Sequence, residues 1–69
     1  MPKAVIRNHV RSRREDCDMT QIELARRSGC TRQTVIMLEQ EKYVPSLSLA
    51  FAVASSLDTS IDKLFYPET

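Results

Sequence analysis

Two polar side chains that can recognise bases stand side by side in a segment with helical periodicity. Arg32 and Gln33 follow Thr31, a helix-capping residue type, and Val35 and Leu38 mark the side that should be buried. The opposite side then carries Gln33 most squarely, with Arg32 at the start of the helix. Arginine can form two hydrogen bonds to guanine, and glutamine can form two to adenine, in a DNA major groove. This face therefore suits base recognition.

Ile36 and Met37 flank the polar pair on the same exposed side. Aliphatic carbons can pack on the methyl group of thymine. Two large apolar side chains would be out of place on a simple solvated face, so they indicate a partner surface.

A helix-turn-helix pattern would position this face. Thr20 should cap a helix, because Glu23 follows at the spacing of a capping box. Gly29, the only glycine, should end that helix in a left-handed conformation. Thr31 should cap the next helix, which runs to about Gln40. Two helices joined by a short glycine-containing turn are the helix-turn-helix signature, and an ordinary corner in a small helical bundle is the alternative.

Helical periodicity also dominates before this segment. A first helix is predicted from about residue 4 to residue 17, with Ile6 and Val10 turned inward. Asp18 should end it, because aspartate tolerates a left-handed backbone better than most residues. The apolar positions of the second helix are Ile22, Leu24 and Ala25.

Two more helices are predicted after the candidate face. Ser46 should cap a fourth helix over residues 47–57, and Ser60 a last short helix that Pro67 ends. The core face of the fourth helix should hold Leu47, Ala50, Phe51, Ala54 and Leu57. Its other apolar residues, Leu49 and Val53, point elsewhere. The last helix should hold Ile61, Leu64 and Phe65. The predicted fold class is all-α, with five short helices and no strand.

Length and charge limit what the chain can be. Sixty-nine residues predict a single domain over residues 1–69. Residues 1–33 carry eight Lys/Arg and four Asp/Glu, a balance of +4, while residues 34–69 carry two and five, a balance of −3. These sum to the formal net charge of +1. A basic half and an acidic half suit a molecule that turns one side toward phosphate, although chance asymmetry is the alternative.

Several classes of function are disfavoured. Cys17 and Cys30 stand apart with only His9 as a further soft ligand, so we expect no metal and no cofactor. No nucleophile or acid–base set is evident, so we do not expect an enzyme. Two unpaired thiols and no secretory signal predict a cytoplasmic protein. The longest apolar run is too short to cross a membrane, and no small-molecule ligand is evident.

Two motifs resemble a known family. T-Q-x-E-L-A-x-x-S-G-x-T-R-Q-T-V-x-x-L-E and K-Y-x-P-S-L-x-L-A-F resemble the Cro and lambda-repressor-like regulators, the XRE family. The ending I-D-K-L-F resembles its small stand-alone prokaryotic members. The resemblance covers about residues 10–66. It implies a five-helix lambda-repressor-like DNA-binding domain with the helix-turn-helix at about residues 20–40.

The resemblance also implies roles for residues. The base-reading positions would be Arg32, Gln33 and Met37, beside Ile36. The DNA-backbone positions would be Gln21, Thr31, Thr34, Lys42 and Tyr43. Arg14 and Glu39 match an ion pair that ties the first helix to the third.

Three residues depart from the family pattern. Arg13 stands where an apolar residue is usual, so the first helix could pack differently. Glu41 replaces a common glycine and adds negative charge near the expected path of phosphate. Met37 cannot form a polar contact with a base, which leaves polar readout to Arg32 and Gln33.

The resulting hypothesis is a sequence-specific transcriptional regulator that binds double-stranded DNA. It would act as a homodimer on a palindromic operator, with one recognition helix in each major groove. The candidate dimer contacts are Leu49, Val53, Phe65 and Tyr66, for which burial in the core is the alternative. The rival hypothesis is a protein-interaction module of the antitoxin or anti-repressor type with little DNA binding.

Overall fold

The structure is a computed structural model that describes residues 5–68. These residues form five helices and two strands. The strands are β1 (Val5–Asn8) and β2 (Phe65–Glu68). The helices are α1 (Val10–Asp16), α2 (Gln21–Ser28), α3 (Arg32–Glu39), α4 (Leu47–Ser56) and α5 (Ile61–Leu64). The helix-turn-helix of α2 and α3 lies where the sequence predicted it.

The two ends of the described chain pair as an antiparallel sheet, so the prediction of an all-α fold is wrong. Val5 lies opposite Glu68, and Asn8 lies opposite Phe65. Helix α1 consequently begins later than predicted, and α5 ends before Phe65, so Pro67 lies in a strand rather than ending a helix. Proline is tolerated there because a two-stranded sheet has only edge strands. Each strand has four residues, which is too few to show a period of two.

One hydrophobic core joins all five helices. The buried apolar residues of this cluster are Val10, Leu24, Ala25, Val35, Leu38, Val53, Ala54, Leu57 and Leu64. Helix α3 places Val35 and Leu38 in this core, as the sequence predicted. The buried side of α3 is thereby fixed, and the opposite side faces outward.

The core face of α4 matches the prediction in part, because Ala50, Ala54 and Leu57 are buried as predicted but Leu47 and Phe51 are not. Val53 is fully buried, whereas Leu47 and Phe51 are 70% and 56% exposed. The small residues Ala50 and Ala54 lie on the buried side, where they allow α4 to pack closely against α2. Periodicity could not choose the face, because α4 carries apolar residues on nearly all sides.

Four helices end in the same way, with a left-handed residue after the last turn. These residues are Asp18, Gly29, Glu41 and Asp58, with φ of 53°, 74°, 61° and 54°. In each case the next N–H group donates to a carbonyl five residues earlier, as in a Schellman motif. The predictions for Asp18 and Gly29 are confirmed. A side chain at position 29 would meet no neighbouring atom. Glycine is favoured there because of the left-handed backbone conformation and not because of crowding.

The threonine and serine caps predicted from the sequence are present, with one exception. The hydroxyl oxygens of Thr20, Thr31 and Ser46 each accept a hydrogen bond from the N–H three residues on, at 3.1–3.2 Å. Ser60 precedes α5 but makes no such bond. Capping therefore fixes the start of both helices of the helix-turn-helix.

Arg13 explains one departure from the family pattern. Its Nε donates to the carbonyl of Leu57 at 2.9 Å, and a terminal nitrogen donates to the carbonyl of Asp58 at 3.0 Å. These carbonyls lie at the end of α4, where a cation is favoured by the helix dipole. Arg13 thus ties α1 to α4 through charge rather than apolar contact.

Candidate nucleic-acid interface

The exposed side of α3 carries the polar pair singled out in the sequence. Arg32 and Gln33 are exposed in the first turn, directly after the cap at Thr31. Ile36 and Met37 are only half-buried, so part of each apolar side chain remains accessible. The side chain of Thr34 lies 3.0 Å from that of Thr31, oxygen to oxygen, which keeps two hydroxyl groups at the start of the helix.

An open groove of about 660 Å³ runs between α1, the start of α2 and α3. It brings together Gln21, Arg32 and Ile36, which the sequence had assigned to DNA contact. The other lining residues are Arg11, Arg14, Thr20, Ile22, Glu39 and Gln40. Three arginines against one glutamate make the groove basic, which suits a phosphate-bearing partner.

Arg14, Glu39 and Gln21 form a hydrogen-bonded network in the wall of this groove. Arg14 donates to Glu39 at 2.6 and 3.3 Å and to the carbonyl of Met19 at 2.8 Å. Gln21 Nε2 donates to Oε1 of the same carboxylate at 3.1 Å, the oxygen that also accepts the longer bond from Arg14. The side chains of Arg14 and Glu39 are only 12% and 5% exposed, and their hydrogen bond raises the pKa of Arg14. The network joins α1, α2 and α3 at one point.

The segment after α3 carries the remaining candidate contacts. Lys42 and Tyr43 are exposed, and they lie outside the lining of the groove. The N–H of Lys42 donates to the carbonyl of Met37 at 3.0 Å, which closes the last turn of α3. Gln33 and Met37 of α3 also lie outside the lining of the groove.

Glu41 does not present an unpaired charge on this surface. Its Oε2 accepts from Arg7 Nε at 2.7 Å and from the backbone N–H of Asn8 at 3.1 Å. The hydrogen bond from Arg7 lowers the pKa of the Glu41 carboxyl group below its ordinary value. The expected negative charge is therefore present but compensated.

Comparison with known proteins assigns the chain to a family. The helix-turn-helix family model HTH_3 matches residues 10–64, which include all five helices. This chain belongs to the XRE family of helix-turn-helix proteins. The match covers the core, the groove and α3, and it stops just before the second strand.

Relatives of similar length support the same assignment. The chain is 40% identical over 60 residues to an uncharacterised HTH-type transcriptional regulator of Archaeoglobus fulgidus, covering 87% of this chain and 84% of the relative. A further such regulator, from Methanothermobacter thermautotrophicus, is 48% identical over 52 residues, or 75% of each chain.

A solved structure shares the fold. The clp gene regulator ClgR of Corynebacterium glutamicum superposes with a TM-score of 0.73 at 31% sequence identity. The similarity covers 75% of this XRE-family chain and 55% of the ClgR chain. The chain therefore spans about half the length of that regulator.

Two groove residues were missed or misplaced by sequence reasoning. Ile22 was predicted to be an apolar position of α2, but it is 65% exposed on the groove. A helical wheel could have predicted this exposure, because Ile22 lies more than about 100° from the centre of the buried face formed by Leu24, Ala25 and Ser28. Arg11 was not singled out. Its side chain lines the groove, and its Nε lies 3.5 Å from Oε2 of Glu15.

The four residues predicted to form dimer contacts differ in how exposed they are. Val53 is fully buried in the core, so its assignment to a dimer surface is wrong. Leu49 and Phe65 are half-buried against the same core, which leaves little area for a partner. Tyr66 is exposed, and its ring stacks on His9 with centroids 4.7 Å apart. The outward apolar residues of α4 are instead Leu47 and Phe51.

Residues 5–68 contain neither a metal-binding cluster nor a membrane-spanning helix. No group of three His, Cys, Asp or Glu in this part of the chain could hold a metal ion. None of its helices has the length and apolar character needed to span a bilayer.

Proposed function

We propose that this chain is a sequence-specific DNA-binding transcriptional regulator that reads the major groove with α3. The observation that carries the proposal is the exposed Arg32–Gln33 pair beside a basic groove, on a helix whose other side is locked in the core. A rigid helix with this chemistry can place hydrogen-bonding groups against base edges. The relatives named as HTH-type transcriptional regulators support the same function.

Within this proposal, side chains divide into base-reading and backbone-binding sets. Arg32 and Gln33 would bond bases, while Met37 and Ile36 would contact thymine methyl groups. The backbone set would be Gln21, Thr31, Thr34, Lys42 and Tyr43. Gln21 lies at the first position of α2, where the helix N-terminus favours an anionic phosphate.

We further propose a homodimer on a palindromic operator, through a surface that differs from the one predicted from the sequence. Val44, Leu47 and Phe51 are 61%, 70% and 56% exposed, and they are adjacent in the loop before α4 and on its outer face. A neighbouring apolar groove of about 240 Å³ is lined by Ile6, Val44, Pro45, Leu47, Ala50, Ile61 and Phe65. A second copy of the chain would cover these side chains symmetrically, as two half-sites require.

Selection of binding sites from random double-stranded DNA tests the main proposal. We expect enrichment of a two-fold symmetric sequence, and an affinity that falls with salt at a log–log slope of about −0.9 for each phosphate contacted. Failure to enrich any sequence at low salt would instead favour a protein-interaction module of the antitoxin or anti-repressor type.

Variants of the selected complex separate reading from positioning. Gln33→Ala should relax the preference at one base pair, at a cost of about 1–3 kcal/mol, whereas Gln21→Ala should weaken all sequences alike. Arg32→Ala has a matched control in Lys63→Ala, which removes the same charge from α5. If Arg32→Ala and Lys63→Ala had equal effects on operator affinity and preference, the proposed reading face would be wrong.

The dimer surface is tested by sedimentation of the free protein and of its complex. Phe51→Ser should shift the free protein toward monomer and weaken binding to the symmetric site more than to a single half-site. Ser55→Ala, another exposed position of α4, serves as the control. A Phe51→Ser protein that remained as dimeric as the control would exclude this surface.

A further inference from the structure

We propose that Glu41 is a positioning residue for DNA binding, acting through Arg7 and Asn8 of β1 on the segment that leaves α3. This inference rests on the proposed function, because it concerns how part of the same DNA-binding surface is held. It gives a role to the residue that departs most visibly from the glycine expected at this place.

The contacts of the Glu41 carboxylate link α3 to the terminal sheet. Arg7 Nε and the backbone N–H of Asn8 both donate to its Oε2, at 2.7 and 3.1 Å. Arg7 also donates to Glu68 Oε1 of the other strand at 2.9 Å. The side-chain amide of Asn8 donates to the carbonyl of Leu38, in α3 itself, at 2.9 Å. The end of α3 is therefore connected to both strands.

The backbone of Glu41 adds a second, independent observation. The other left-handed helix ends are Asp18, Gly29 and Asp58, residue types that adopt this conformation more readily than glutamate. A glycine at position 41 would relieve the backbone but would lose the carboxylate. Strained residues of this kind persist where the surroundings hold them, often at functional sites.

The segment that follows needs such a tether. Residues 42–46 have no regular secondary structure, yet they include Lys42 and Tyr43, the proposed contacts to the DNA backbone. A loop that is already held in its bound position loses less conformational entropy on binding. Pairing with Arg7 also compensates the charge of Glu41 where phosphate would pass.

The first test compares Glu41→Gln with Asp58→Asn. Each variant removes one negative charge from a left-handed helix end, but Asp58 has no ion pair within residues 5–68 and lies outside the basic groove. We expect Glu41→Gln to weaken operator binding about fivefold, and Asp58→Asn to leave it within about twofold. Equal affinities, or tighter binding by Glu41→Gln, would overturn the proposal, because Glu41 would then act only as a repelling charge.

A double-mutant cycle tests whether Glu41 acts through Arg7. Arg7→Gln should also weaken binding about fivefold, and the double variant should show about the same loss rather than about 25-fold, since each change breaks the shared Arg7–Glu41 pair, although Arg7→Gln also removes the bond to Glu68. If the double variant lost affinity by the product of the two single losses, the coupling between Glu41 and Arg7 would be refuted. A pair that only stabilised the fold would show its coupling in the free energy of unfolding and not in operator affinity.

Glu41→Gly separates positioning from folding. Its unfolding midpoint should be unchanged or raised, because the backbone strain is relieved, while operator binding should still fall. Wild-type binding by Glu41→Gly would overturn the inference. If the wild-type chain selected no DNA at all, the proposed function would fail. If it bound its operator and Glu41→Gly matched it, only the inference would fail.

Discussion

Helix α3 is held in different ways on its two sides. Toward α1 and α2 it is held by fully buried apolar side chains and by the Arg14–Glu39 pair, whose side chains are nearly inaccessible to water. Toward the terminal sheet it is held by the Arg7–Glu41 pair, whose side chains are 41% and 27% exposed, and by the amide of Asn8. Each pair joins an arginine from the N-terminal part of the described chain, Arg7 or Arg14, to the end of α3.

The difference separates stability from adjustment. Buried contacts are strong because water cannot compete with them, while exposed ion pairs contribute little and weaken as salt screens them. The helical side should therefore determine whether α3 is folded in place. The sheet side should determine how the segment after α3 is presented. The following changes test this division, from the largest expected effect to the smallest.

The largest effect should come from the core beneath the helix-turn-helix. Leu24→Ala should lower the free energy of unfolding by about 4 kcal/mol, because it leaves a cavity where a fully buried side chain had been. Urea unfolding followed by circular dichroism measures it. Ile22→Ala, at a position of the same helix that is 65% exposed, should stay within about 0.5 kcal/mol of wild type. Comparable losses from the two variants would contradict the burial described here.

Next in size should be the buried ion pair. Glu39→Gln should cost about 3 kcal/mol, since the guanidinium of Arg14 would remain buried without its counter-charge. The control is Glu15→Gln, which breaks the exposed contact with Arg11 and should change stability by less than about 0.5 kcal/mol. Unfolding in 1 M NaCl should leave the Glu39→Gln loss largely intact, and a loss that vanished in salt would place this pair with the exposed ones.

A smaller effect is expected where the sheet meets α3. Asn8 accepts from the N–H of Val10 at 3.1 Å and donates to the carbonyl of Leu38, so Asn8→Ala should cost about 1–2 kcal/mol. Asn8→Ser keeps a side-chain oxygen that can accept from the N–H of Val10 but cannot reach Leu38, and it should lose about half as much. Equal stability of Asn8→Ala and wild type would show that the sheet contributes nothing to holding α3.

The smallest effect concerns an exposed cluster on the helical side. Hydrogen bonds from Arg26 and Arg27 lower the pKa of Glu23 from 4.5 to about 2. Because the folded-state pKa is the lower one, the stabilisation is complete above pH 4.5 and is lost as the pH falls toward 2. Acid unfolding of Glu23→Gln should therefore show a shallower pH dependence across this window. An unchanged slope would mean that these exposed contacts do not persist in solution.

The sequence was informative where structure depends on neighbouring residues. The caps at Thr20, Thr31 and Ser46 and the left-handed ends at Asp18 and Gly29 follow from local hydrogen bonding, and all are present. The buried side of α3 was also predicted, from Val35 and Leu38 at a spacing of three, and both residues are fully buried.

Long-range contacts were not predictable in this way. Strands β1 and β2 lie about 60 residues apart in sequence, and nothing in either segment alone indicates its partner. The buried face of α4 depended on which of its apolar residues met the rest of the core, and Val53 lies there instead of Leu47 and Phe51. For Glu41, the sequence indicated the charge, but its compensation required the position of Arg7.

The terminal sheet has a practical consequence for protein engineering. Val5 lies opposite Glu68, so the two ends of the described chain leave the molecule side by side. A short flexible linker could join them, and new ends could then be opened in an exposed loop, which makes the fold suitable for circular permutation. In the unpermuted chain, a domain fused beyond either strand would lie near the end of α3, and linker length would set how far it reaches across that end.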